Sequence, residues 1–184
     1  AYAPEVYYFN GTFYLYQSQG GNGHYIYTAD SPEGPFVVAS GNVGYNIDGS
    51  IFIDDEENIY FLYASSGTIT MSRVNDMVFT SRPAGTGTIS AASNVGGWTE
   101  GPDLFCVNGN YYLTYTGTNV ASDGYRVLYA STDTFNNASM SSIRNTFRTP
   151  ANNPLLLNTE IEEGAVGTGH SSTVMGPDLD SYYI

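Results

Sequence analysis

Short apolar runs alternate with polar clusters along the chain, and the apolar runs come in pairs. Four segments share one design: "VYYFNGTFYLYQS", "IFIDDEENIYFLYAS", "LFCVNGNYYLTYTG" and "TVMGPDLDSYYI". Each is a brief apolar run, a turn of Asn, Asp or Gly, and a second run rich in tyrosine. Such pairs predict β-hairpins, because Asn and Gly tolerate the left-handed backbone that tight hairpin turns need. Aligned on their second runs, Tyr14, Tyr60, Tyr112 and Tyr183 fall at one position. The hairpins recur at roughly 45 to 70 residues, the period of a four-stranded propeller blade with variable loops.

Further strand candidates follow the first three hairpins: "GHYIYTAD", "TITMSRV" and "YRVLYASTD". Apolar residues at helical spacing are missing. The nearest approach, "TFNNASMSSIRNTF", reads as a loop because its Asn and Ser side chains compete for backbone hydrogen bonds. The pattern predicts an all-β fold, a β-propeller forming a single domain. Blades are expected at about residues 1–46, 47–95 and 96–165, with another starting at 166–184. A β-sandwich is the competing architecture, and the repeat period favours the propeller. A propeller ring closes with about four to eight blades, so three blades and a hairpin predict a piece of a longer chain.

Composition narrows the partners. Among 184 residues there are 5 Lys and Arg against 18 Asp and Glu, a formal net charge of -13. No basic stripe can be assembled, which argues against nucleic acid and anionic membrane surfaces. No apolar run is long enough to cross a bilayer as a helix. Aromatic residues make 15% of the chain and outnumber charged ones at 12%; 17 are tyrosines. Tyrosine packs well in sheets and also stacks on sugar faces, so the composition leaves both uses open. The single cysteine, Cys106, can form no internal disulfide and is expected to be a buried structural thiol.

Ionisable side chains recur where blades begin. Asp48 lies in "NIDGSIFIDD", Glu100 in "WTEGPDLF" and His170 in "GTGHSSTVM", each just before a first hairpin strand. Glu5 in "YAPEVYYF" holds a similar phase. Equivalent positions of successive blades converge on a propeller's axis, so these side chains are expected at one end of the channel. Taken singly, each is a good turn residue. The run Asp54–Glu57 reads as a solvated hairpin turn, since it lacks the alternating ligands and turn glycine of an EF-hand loop.

Taken in order, "APEV", "TADSPEGPF", "IDGSIFIDD", "TEGPDLF" and "GTGHSS" resemble the glycoside hydrolases of family 43 over nearly the whole chain. The resemblance implies a five-bladed β-propeller of inverting arabinofuranosidases, xylosidases and arabinanases. It implies Glu100 as general acid and Asp48 as the carboxylate that orients that acid and tunes its pKa. Trp98 and His170 are then expected to touch substrate, with His170 also near a calcium ion held mainly by water. The family's general base is a first-blade aspartate, and no residue here matches it; the aromatic before "APE" is Tyr2 in place of Trp. The expected partner is a plant polysaccharide or oligosaccharide, and the expected location is secreted or periplasmic. A non-catalytic carbohydrate-binding propeller is the alternative.

The chemistry is coherent. An inverting glycosidase needs a protonated carboxyl for the leaving oxygen and a carboxylate across the sugar to activate water. A glutamate beside an indole and facing a second carboxylate is desolvated and repelled, and both effects keep it protonated. Asp48 is expected to be the partner that stays ionised.

Overall fold

A computed structural model describes residues 1–81, 85–93, 95–135, 139–151, 155–157 and 166–184. Three four-stranded antiparallel sheets and a hairpin follow one another along the chain. The first sheet joins β1 (Tyr2–Phe9), β2 (Thr12–Ser18), β3 (His24–Ala29) and β4 (Val37–Ser40) in that order. The second joins β5 (Ile47–Ile53), β6 (Ile59–Ser65), β7 (Thr68–Val74) and β8 (Gly87–Ser93). The third joins β9 (Thr99–Val107), β10 (Asn110–Gly117), β11 (Arg126–Thr132) and β12 (Leu155–Leu157). The hairpin pairs β13 (Val174–Met175) with β14 (Tyr182–Tyr183).

This is the β-propeller predicted above. The first strands of the sheets lie side by side, β5 packing against both β1 and β9. Two apolar cores separate the sheets. Tyr16, Ile26, Ile51, Phe61, Tyr63 and Phe79 fill the space between the first and second. Leu62, Met71, Ile89, Leu113, Tyr115 and Phe135 fill that between the second and third. The second sheet is covered on both faces, which is why β6 (Ile59–Ser65) is apolar at nearly every position instead of alternating.

The hairpin turns follow from their sequences. Asn10-Gly11, Ser66-Gly67 and Asn108-Gly109 all have positive φ at both positions, as two-residue hairpins require. The acidic turn of the second sheet is structural. Asp54 is buried and accepts from the backbone N–H groups of Glu56 and Asn58, the Asn58 side chain and the Tyr60 hydroxyl.

Two expectations are corrected. The segment read as a loop contains a helix, α1 (Met140–Thr146). Ser139 caps it by accepting from the Ser142 N–H, and Ile143 and Phe147 are buried beside Phe135. The same serine content that argued against a helix supplies the cap, and tertiary burial of two residues outweighs weak propensity. Cys106 is only partly buried at the edge of the second core.

Candidate active site

The inner strands carry matching irregularities. In β1 the pairing register shifts between Tyr2 and Glu5, in β5 between Ile47 and Ser50, and in β9 opposite Thr114 and Thr116. Each shift is a bulge with one residue at positive φ: Ala3, Asp48 and Gly101. His170 repeats the conformation ahead of β13. The bulges therefore align Ala3, Asp48, Gly101 and His170, and Glu100 sits one position earlier. Glu5 sits two positions later, level with Ser50, Asp103 and Ser172. The equal phase read from the sequence is thus off by one for Glu100 and by two for Glu5. An alternating strand would turn neighbours to opposite faces, whereas a bulge re-aims a side chain. That is how Asp48 and Glu100 come to face one cavity despite unequal register.

The cavity has a volume of about 740 Å³ and is lined by Asp48, Glu100, His170, Trp98, Tyr125 and Tyr2, among others. Asp48 is 4% exposed, and its Oδ2 accepts from the Gly101 N–H at 2.9 Å. Glu100 is half-buried, and its Oε1 accepts from the Tyr125 hydroxyl at 2.5 Å. Burial pushes the Glu100 carboxyl above its ordinary range and the Asp48 charge adds to this, against the Tyr125 hydrogen bond and His170. Burial raises Asp48 as well, opposed by His170 and the Gly101 N–H. The sequence reading has Asp48 simply ionised; here burial works against that charge and those two neighbours favour it. Trp98 lines the same cavity and is 48% exposed.

The supporting residues explain the local sequence. Gly101 has φ +56, and a Cβ there would lie 3.1 Å from the His170 ring. The His170 N–H donates to Thr116 Oγ1 at 2.6 Å, which fixes the segment across β10. Gly169 lies so close to the Tyr125 ring that any Cβ would overlap it. Sequence reasoning missed Tyr125, because nothing in "DGYRVLY" separates it from the other tyrosines.

One layer deeper, Glu5 accepts from the Ser172 hydroxyl at 2.7 Å and Asp103 from the Thr173 N–H at 2.6 Å. Burial raises the Asp103 carboxyl to about 6, and Glu5 adds to the rise. Tyr7 donates to Ser50 beside them. Glu5 is therefore an axis residue outside the cavity that holds Asp48 and Glu100. Among the described residues no three His, Cys, Asp or Glu side chains gather to hold a metal. Calcium takes six to eight oxygen ligands, carbonyl and water oxygens among them, so these side chains alone would not hold it.

The family model for glycosyl hydrolases family 43 matches residues 1–184. An endo-1,4-beta-xylanase from Bacteroides thetaiotaomicron is 30% identical over 98% of this chain and 62% of its own, with a TM-score of 0.80. An alpha-L-arabinofuranosidase from Clostridium thermocellum shares 21% identity over 94% of this chain and 56% of its own, TM-score 0.69. An alpha-L-arabinanase from Cellvibrio cellulosa shares 18% over 95% and 65%, TM-score 0.72. The chain spans less than two thirds of the length of these structures. No curated protein matches it in sequence.

Proposed function

The chain belongs to glycosyl hydrolases family 43, and from that premise we propose that it carries the acid half of an inverting glycosidase acting on arabinofuranosyl or xylosyl linkages. The observation that supports this most is the pairing of Glu100 with Asp48 in one cavity, with burial holding the Glu100 carboxyl up. Glu100 gives its proton to the glycosidic oxygen as the anomeric carbon–oxygen bond breaks, and the leaving group departs as a neutral alcohol. A water oxygen takes its place on the anomeric carbon from the opposite face and yields its proton to a carboxylate base. No residue of this chain is assigned as that base; a further blade of the complete protein is expected to supply it. Asp48 keeps the acid protonated by its charge and fixes the Gly101 backbone beside it. Trp98 and His170 line the sugar site. The related structures bear xylanase, arabinofuranosidase and arabinanase names, which supports pentose-containing plant polysaccharides as the substrate class. Such an enzyme works outside the cytoplasm, where those polymers are.

The test is leaving-group dependence in the complete protein. Glu100→Ala is expected to cut turnover of substrates with a sugar leaving group by about 10²–10⁴-fold, the usual worth of general acid catalysis. Activated aryl glycosides, whose leaving group needs no proton, are expected to suffer far less. Equal losses on both would make Glu100 a positioning group and overturn the assignment.

A further inference from the structure

One buried ionisable residue has no part in the chemistry above. His24 opens β3 with its side chain fully buried, and neither ring nitrogen has a hydrogen-bond partner among the described residues. An unpaired buried imidazole costs stability, so packing must hold it there. Its main chain is tied to the segment that enters β5. The His24 N–H donates to the Gly44 carbonyl at 3.0 Å, and the Val43 N–H to the His24 carbonyl at 2.9 Å. The neighbouring Gly23 N–H donates to the Asn46 carbonyl at 2.8 Å.

The His24 ring packs against the β5 bulge. A Cβ on Gly49 would stand 2.7 Å from His24 Cδ2 and Nε2 and 2.7 Å from Phe61 Cε2. The two rings are T-shaped, with centroids 5.3 Å apart and planes at 88°. Gly49 has no left-handed φ, so the closeness of these rings is what calls for glycine there. The place is sensitive. Ile47 pairs with Ala64 and Ser50 with Leu62, so Asp48 and Gly49 together stand opposite one residue, Tyr63. A bulge interrupts the ladder that fixes an ordinary strand, so other contacts must set its aim. Asp48 is held by the Gly101 N–H and Gly49 by the two rings. We infer that His24 is a positioning residue for the reaction: its ring braces Gly49 and so fixes the bulge from which the Asp48 carboxylate faces Glu100.

The consequence is electrostatic, although the contact is one of packing. Deleting the ring leaves a cavity against Gly49, and the surrounding structure relaxes into part of it. A bulge that is no longer braced lets Asp48 withdraw from Glu100. The charge that helps keep the acid protonated then acts from farther away. His24 supplies no charge of its own: burial lowers it to about 4, so it is neutral at neutral and alkaline pH. Any change in the acid that follows its removal therefore travels through the bulge.

This inference rests on the reading of Glu100 and Asp48 as acid and tuning carboxylate, and Asp48→Asn separates the two. The pH profile of kcat/KM is measured on a saccharide substrate with the complete protein and its variants. The alkaline limb is expected to move to lower pH in His24→Ala by at least about 0.5 unit, a fraction of the roughly 1–3 units by which a close charge shifts a carboxyl. His24→Val removes less of the packing and is expected to move the limb the same way by less; it carries the test if the alanine variant does not fold. His24→Leu restores similar bulk without the two unpaired nitrogens, and its limb is expected within about 0.2 unit of the parent's. The limb is a position on the pH axis, so a smaller amount of folded protein does not move it. A limb that shifts in Asp48→Asn but stays in place in His24→Ala and His24→Val overturns this inference alone and makes His24 an ordinary core residue. A limb displaced as far in His24→Leu as in His24→Ala also overturns it, since bulk against Gly49 would then not be what counts. An unmoved limb in Asp48→Asn overturns the reading of the pair, and this inference with it.

Discussion

The Tyr125 hydroxyl and the Asp48 carboxylate act on Glu100 in opposite senses. The hydrogen bond from Tyr125 stabilises the ionised carboxylate, whereas the Asp48 charge destabilises it. Tyr125→Phe removes the first and raises the pKa of the acid. Asp48→Asn removes the second and lowers it, while the amide oxygen can still accept from the Gly101 N–H. The acid fails once it loses its proton, so it sets the alkaline limb of the pH–rate profile. That limb is expected to move to higher pH in Tyr125→Phe and to lower pH in Asp48→Asn, read from kcat/KM on a saccharide substrate. Shifts in the same direction would mean that both variants merely loosen the site.

Strands and turns were legible in the sequence because their signals are local. Paired apolar runs around turns of Asn, Asp or Gly predicted the first hairpin of each sheet, and the recurring period predicted the propeller. The bulges were not legible. A bulge is an extra residue measured against a partner strand, and "IDGS" reads as a turn until β6 (Ile59–Ser65) is laid beside it. Glu100 and Asp48 were found by motif order, but their relative register was not, and Tyr125 arrives from β11 (Arg126–Thr132) with no signal of its own. The bulge in β9 (Thr99–Val107) makes a sharp prediction. Gly11→Ala places a methyl at φ +84 with nothing within 4 Å, so only the left-handed backbone is penalised, about 1–2 kcal/mol. Gly101→Ala meets a similar backbone penalty and also drives a Cβ toward the His170 ring and Cα. Denaturation midpoints are expected to fall in both, and further in Gly101→Ala. Equal losses would show that His170 yields freely and that the segment is not held against β9.

At the scale of the molecule, the half-buried Asp103 and the buried His24 set opposing pH dependences. Asp103 lies on the axis among Glu5 and the 172–173 backbone, where burial and a neighbouring charge raise it to about 6. Its unfolded value is about 3.9. The folded state binds that proton more tightly, so the stabilisation is present below about pH 4 and is lost as pH rises to about 6. His24 is fully buried between Phe61 and Gly49, neither ring nitrogen has a hydrogen-bond partner among the described residues, and burial lowers it to about 4. The folded state holds it neutral, so its contribution is present above its ordinary value of about 6.5 and is lost as pH falls to about 4. The two effects are each up to about 3 kcal/mol and oppose one another between pH 4 and 6. Asp103→Asn keeps an acceptor for the Thr173 N–H and removes one side of the balance. Stability of the variant, followed by denaturant midpoint, is expected to rise more between pH 4 and 6.5 than that of the parent. Parallel profiles would show that Asp103 titrates in the fold as it does in water.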